Sequence, residues 1–195
     1  MISNLSIQIR QKNVDSVTKF LVGTMQPFNV VESQSFNNMI KTLNPSFKVP
    51  SRKFFSKTAV PKLYNDVTES IKRELASVDS NNVCLTTDCW TSLATTPYIA
   101  VTAHFIDTEW HLKSVCLCCT QFEENHTSEN ITQVLKDILS DWNLDAQEIT
   151  CYTTDNGSNI VKAISMLYVP HMPCFGHTER RPMSPCLIPL QHPYR

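Results

Sequence analysis

Apolar positions along this chain change period once, and the change divides it. Through the first third they recur at helical spacing: Val14, Val17, Phe20, Leu21 and Met25 share one face of a helix predicted over 13–25. After a break at Pro27, Ser33 stands as an N-cap, and Phe36, Met39, Ile40 and Leu43 follow at i, i+3, i+4 and i+7 until Asn44-Pro45 stops the helix. Ser51 is placed to cap a third helix with apolar positions Val60, Leu63, Val67, Ile71, Leu75 and Val78, which Pro61 kinks or whose start it shifts. Beyond the turn cluster Asp79-Ser80-Asn81-Asn82 the period becomes that of strands.

Val83 to Thr87 reads as the first strand, Tyr98 to Ile106 as the second and Leu112 to Phe122 as the third, joined through Asp107-Thr108-Glu109 as an antiparallel meander. A helix follows from Ser128 to Trp142, with Ile131, Val134, Leu135, Ile138, Leu139 and Trp142 on one face and Thr127 or Ser128 as cap. Glu148 to Thr154 is a fourth strand, and Asp155-Asn156-Gly157-Ser158 opens a helix containing Ile160, Val161, Ile164 and Leu167. The connection from third to fourth strand is long enough for a parallel crossover. The expected class is therefore α/β: an RNase H-like mixed sheet, three antiparallel strands plus a parallel fourth, behind an α-helical region. Residues 1–78 form the helical, basic region, 79–177 the partial RNase H-like domain, and 178–195 a proline-rich tail expected to be disordered.

With 195 residues, 42% of them hydrophobic, the chain can bury a core. No apolar run has the length of a membrane span, and MISNLSIQIRQK lacks the order of a signal peptide, so no membrane partner is expected. Eight cysteines without a CxxC pair, most of them inside strand-like runs, read as buried reduced thiols. Three glycines leave no Gly-rich phosphate loop. The net charge of −1 hides a division: eleven Lys/Arg against five Asp/Glu up to Val78, then three against twelve up to His177. Such an arrangement suits a phosphate grip beside a cation-binding site, and also two ordinary solvated faces.

Two runs, CLTTDCWTS and ITCYTTDNGSN, each bring Thr-Thr-Asp to the end of a strand. If the strands are parallel neighbours, Asp88 and Asp155 meet at the carboxyl edge, where open α/β sheets carry their chemistry. Two repelling carboxylates invite a hard divalent cation, Mg2+ or Mn2+. In the basic part, Lys41, Lys48, Arg52, Lys53, Lys57 and Lys62 occur without an intervening acid and are interleaved with Phe47, Phe54 and Phe55. The cations suit DNA phosphates; the phenylalanines read first as core anchors and second as stacking groups.

The runs TDCWTS, TDNGSNIVKA, CFGH, QPFNVVES and PSRKFFSKTAVPKLY, specific together through their order along the chain, resemble the hAT (hobo/Activator) transposase superfamily, in particular the domesticated zinc finger BED domain-containing proteins, over roughly Phe20 to Thr178. The resemblance implies an RNase H-like domain with a metal-binding DDE triad. Asp88 matches its first Asp, Asp155 its second, and Cys174 and His177 its Cys-x-x-His, which makes His177 a catalytic candidate. Nothing before Leu21 supplies the cysteines and histidines of a BED finger, and Glu179 comes too soon for the third carboxylate. Zinc is not expected at Cys174, His177, Cys186 and His192, whose spacing lacks the pairing of structural sites. Trp90 reads as a packing residue. The resemblance implies a nuclear DNA-binding or regulatory protein, expected to be inactive with two of three carboxylates; homo-oligomers are a property of the full-length family. The alternatives are a transposase or nuclease completed by a partner chain, and an interaction module without DNA binding.

Overall fold

A computed structural model describes residues 2–78 and 82–178, with side chains from residue 7 onward. Residues 79–81, where a turn is expected, and the tail with Glu179, Cys186 and His192 lie outside the described residues. The chain forms two compact units, 1–71 and 72–195.

In the first unit, α1 (Ile2–Gly23) buries Val14, Val17 and Leu21. The expected face stops there. Met25 lies past the helix at φ 51, and the bonds Gln26 N–H to Leu21 O and Met25 N–H to Val22 O close the helix as a Schellman turn, with Pro27 preventing continuation. A 3-10 turn, Phe28–Glu32, leads to α2 (Gln34–Leu43), whose Ser33 cap accepts the Phe36 N–H at 3.3 Å. Of the predicted α2 face only Phe36 is deeply buried; Met39 and Leu43 are exposed, because one turn of this short helix meets the core and the rest runs past it. The third predicted helix is compound: α3 (Arg52–Phe54), a π turn at Phe55–Ala59, and α4 (Val60–Ala76). Pro61 supplies the reason. Its ring crowds the carbonyl four residues back and it has no N–H to bond there, so the preceding turn widens, with Val60 N–H reaching Phe55 O. That turn also drives Phe55 into the core with Val14, Val17, Leu21, Val31 and Phe36.

In the second unit, β1 (Val83–Thr91), β2 (Pro97–Ile106) and β3 (Leu112–Gln121) form the meander, and α5 (Ser128–Asp141) crosses back to β4 (Ile149–Thr154). Thr127 caps α5 by accepting the Asn130 N–H. After α6 (Ser158–Met166) a short strand not anticipated in the sequence, β5 (His171–Pro173), adds parallel to β4, and α7 (Phe175–Thr178) follows. The sheet order is β3-β2-β1-β4-β5. β5 escaped notice because three residues, one of them proline, carry no periodicity.

Alternation sorts the sheet into two faces. Val83, Leu85, Ile99, Val101, Ala103, Phe105 and Tyr152 are buried on the helix-covered face. There Trp142 Nε1 donates to Leu117 O at 2.9 Å, tying the end of α5 to β3, and Thr132 Oγ1 donates to Ala163 O, tying α5 to α6. The other face carries Cys84, Thr86, Thr102, His104 and Ser114, with Thr86 Oγ1 and Ser114 Oγ on the two nitrogens of His104. This corrects the cysteine expectation. The seven described thiols are free, but only Cys151 is buried, and Cys116 and Cys119 are exposed because β3 is an edge strand and their face is the uncovered one.

The Tyr152 side chain is fully buried and its hydroxyl finds no hydrogen-bond partner among the described residues. Removing an unpaired buried hydroxyl while keeping the ring relieves a desolvation cost. Tyr152→Phe is therefore expected to unfold at equal or higher urea concentration than the parent chain, with a gain of up to about 1 kcal/mol; a clear loss would show that the hydroxyl is bonded.

Candidate functional site

β1 and β4 are parallel neighbours in a register that pairs Cys84 with Cys151, Leu85 with Tyr152 and Thr86 with Thr153. Asp88 and Asp155 each stand two residues beyond the Thr86–Thr153 pair, both exposed, so the pairing delivers both to the carboxyl edge of the same two strands. The thiol of Cys89 reports on the pair. It is pushed up to about 11, by burial first and then by the negative charges of Asp88 and Asp155. Carboxylates from two strands thus act on one sulfur, a relation the separated runs did not announce.

The Asp155 turn is fixed by its own backbone. Asp155 Oδ1 accepts the Gly157 N–H at 3.0 Å, while Asn156 takes the left-handed φ of 71 that asparagine tolerates. A β-carbon on Gly157 would lie 3.3 Å from that same oxygen, which is the use of glycine here. Asn159 Nδ2 then donates to the His126 carbonyl at 2.7 Å, and Lys162 pairs with Glu129, so the start of α6 is stapled to the loop and helix after β3. Neither staple was read from the sequence, though Asn159 lies within the TDNGSN run.

Cys174 lies beside this turn, its N–H bonded to Thr154 O at 2.9 Å. His177 is three residues further on, exposed in α7 with its N–H on Cys174 O. Trp90, on the strand carrying Asp88, stacks on Tyr98 with ring centroids 5.5 Å apart while remaining 39% exposed. Two anionic oxygen donors at one edge fit a hard cation such as Mg2+ or Mn2+, with water completing its shell. Among the described residues no group of three or more His, Cys, Asp or Glu gathers around a common point.

In the first unit Lys41, Lys48, Arg52, Lys53, Lys57 and Lys62 are all exposed. They are not equivalent. Lys62 is engaged by Asp66, which raises its pKa, and Arg52 Nε lies 3.5 Å from Glu32 Oε2. Lys41, Lys48, Lys53 and Lys57 have no carboxylate within ion-pair reach among the described residues. Arg52 and Lys53 line a cleft of about 510 Å³ with Phe28, Asn29 and Ser56; Lys48 lines another of about 580 Å³ with Arg10, which the sequence reading had not included. Phe55 is buried, and Phe54, 37% exposed, meets it edge to face, so the aromatic interleaving serves the core first.

Residues 86–172 match the ZBED1 RNase-like domain. The chain is 31% identical over 175 residues to mouse "Zinc finger BED domain-containing protein 6", covering 83% of this chain and 18% of that protein. It is also 31% identical over 132 residues to the maize "Putative AC transposase", covering 68% of the chain and 16% of the relative. A "Putative transcriptional regulator tpeD" from Talaromyces stipitatus is 25% identical over 178 residues, or 84% of the chain. The chain spans about a fifth or less of the length of these relatives.

The state of Cys89 tests the carboxylate geometry. A thiol titrating at about 11 is protonated at neutral pH, so its alkylation rate should climb with pH until about 11. Asp88→Asn and Asp155→Asn should each speed alkylation of Cys89 at pH 8 to 9, since each removes a charge that opposes the thiolate, and peptide-resolved mass spectrometry reads the rate. A Cys89 rate indifferent to both substitutions would mean the carboxylates do not converge on it.

Proposed function

We propose, for a chain that belongs to the hAT transposase-derived family of zinc finger BED domain-containing proteins, that it is a DNA-binding regulatory module, gripping the phosphate backbone through its basic helical unit and holding a divalent cation weakly between Asp88 and Asp155. The observation that carries the reading is the exposed basic run from Lys41 to Lys62, in which Lys41, Lys48, Lys53 and Lys57 have no carboxylate in ion-pair reach among the described residues. Unneutralised cations on one short stretch suit a polyanion, and phosphate contacts carry no base information, so the expected binding is of low sequence preference. The names of these relatives, transposases and a transcriptional regulator, are consistent with work on DNA and hence with the nucleus.

Asp88 and Asp155 would supply the oxygen ligands of the ion, with Asp155 oriented by the Gly157 N–H. A bound Mg2+ or Mn2+ polarises a phosphate oxygen and makes water a better nucleophile. Two carboxylates anchor such an ion less firmly than three, so the chain by itself is read as binding DNA without cutting it. The shared edge of Asp88 and Asp155 favours one further reading, a metal-dependent transposase or nuclease whose remaining ligands come from a partner chain. His171 is the histidine nearer that edge, its Nε2 2.9 Å from Thr154 Oγ1, whereas His177 connects to it through Cys174.

Fluorescence anisotropy with a short duplex, across a salt series, tests the grip. The logarithm of affinity should fall linearly with the logarithm of salt, and Lys48→Ala, Lys53→Ala and Lys57→Ala together should flatten the slope by roughly 2–3. Binding that ignores salt, or a triple variant that binds like the parent, overturns the DNA reading and leaves the interaction module. Incubation of the same duplex with Mg2+ or Mn2+ should leave it intact; cleavage that disappears in Asp88→Asn would replace the regulatory reading with the enzymatic one.

A further inference from the structure

We propose that Cys84 and Cys151 form a redox-responsive cross-strand disulfide that staples β1 to β4 immediately ahead of the carboxylate edge. The two cysteines occupy directly paired positions on adjacent parallel strands. Such neighbours lie ~4.8 Å apart, within the Cα separation of about 4.4–6.8 Å that a disulfide accepts. Their side chains point to the same face, since residues paired across a ladder share one. Burial first, and then the neighbouring Cys84 thiol, push the Cys151 thiol up to about 11. Cys84 is half-buried and Cys151 buried, which assigns Cys84 as the sulfur an oxidant reaches first.

Topology makes the pairing selective. Cys116, Cys118 and Cys119 lie on β3, separated from β1 by the whole of β2, which contributes no cysteine. Cys89 shares β1 with Cys84 but alternation sends it to the opposite face. Each member of the pair precedes an aspartate by four residues, Cys84 before Asp88 and Cys151 before Asp155. A bond between them would therefore hold together the two strands whose register sets the carboxylate spacing.

The oxidant required is a low-molecular-weight disulfide such as oxidised glutathione. The Cys84 thiolate attacks one of its sulfurs, forming a mixed disulfide and releasing one glutathione thiolate. The Cys151 thiolate then attacks the Cys84 sulfur and expels the second glutathione. Two protein thiols are oxidised, one disulfide is reduced to two thiols, and the two protons from the cysteines end on the two glutathiones. The high pKa of Cys151 keeps the second step slow at neutral pH, so the pair stays reduced until the oxidant persists.

The test uses the full chain, folded, exposed to oxidised glutathione, alkylated and mapped by non-reducing peptide mass spectrometry. The expected result is a crosslink joining the Cys84 and Cys151 peptides, and a melting temperature raised by about 5 °C or more and returned by dithiothreitol. Cys84→Ser and Cys151→Ser should each abolish both signals. Oxidised chain in which Cys84 and Cys151 are both recovered alkylated, both carry separate glutathiones, or are joined to other cysteines would overturn the proposal. The mapping of the parent chain decides this even if a variant fails to fold, and its outcome is independent of whether DNA binds.

Discussion

The parallel pairing of β1 with β4 is the constraint on which the second unit depends. Asp88 and Asp155 lie far apart in the chain, and only side-by-side strands running the same way can bring both out at one edge. A parallel pair cannot be closed by a hairpin, so the chain must leave β1, build β2 and β3, and return through α5. Each intervening element then has a mechanical part. The bond from Trp142 to Leu117 sets where α5 ends over the sheet, and the Thr132 bond to Ala163 sets α6 against α5. With those fixed, the turn after β4 opens where Asp155 needs it.

The sheet is finished on one face and left open on the other. The covered face holds the residues that alternate into burial, including Leu85, Ile99, Val101, Ala103 and Tyr152. The open face is uncharged along its middle rows, with threonine, cysteine, serine and histidine in place of the lysine and glutamate common on a solvated sheet. That composition explains two otherwise separate findings. His104 finds hydroxyl partners on both sides, and Cys116 and Cys119 are free thiols exposed to solvent, while Cys151 alone among the described cysteines is buried.

The first unit solves a different problem, keeping cations exposed on a small core. Phe55 anchors the basic stretch from inside, and the π turn imposed by Pro61 is what aims it there. Lys53 and Lys57 flank that buried ring in sequence and remain at the surface. Burial of one aromatic thus holds the segment that carries these exposed charges, on which the DNA-binding proposal rests.

Local pattern determined the meander, the crossover helix and the caps at Ser33 and Ser51, and it permitted the parallel return and left Thr127 or Ser128 to cap α5, because side-chain alternation and capping are local. The two Thr-Thr-Asp runs were legible as a pair, though only the second ends its strand: β4 stops at Thr154, whereas β1 runs on to Thr91 and Asp88 pairs with Ala100 within it. Other features needed the tertiary structure. The end of α1 before Met25, the exposure of Met39 and Leu43, and the strand β5 depend on where the core surface lies and on which edge is free to accept a neighbour. Which lysines are already paired, which face a cysteine occupies, and that Cys89 stands under two carboxylates are facts of residues distant in sequence. Local chemistry writes the elements, but contact between them is set by packing, and no spacing along a single strand encodes what the neighbouring strand will bring beside it.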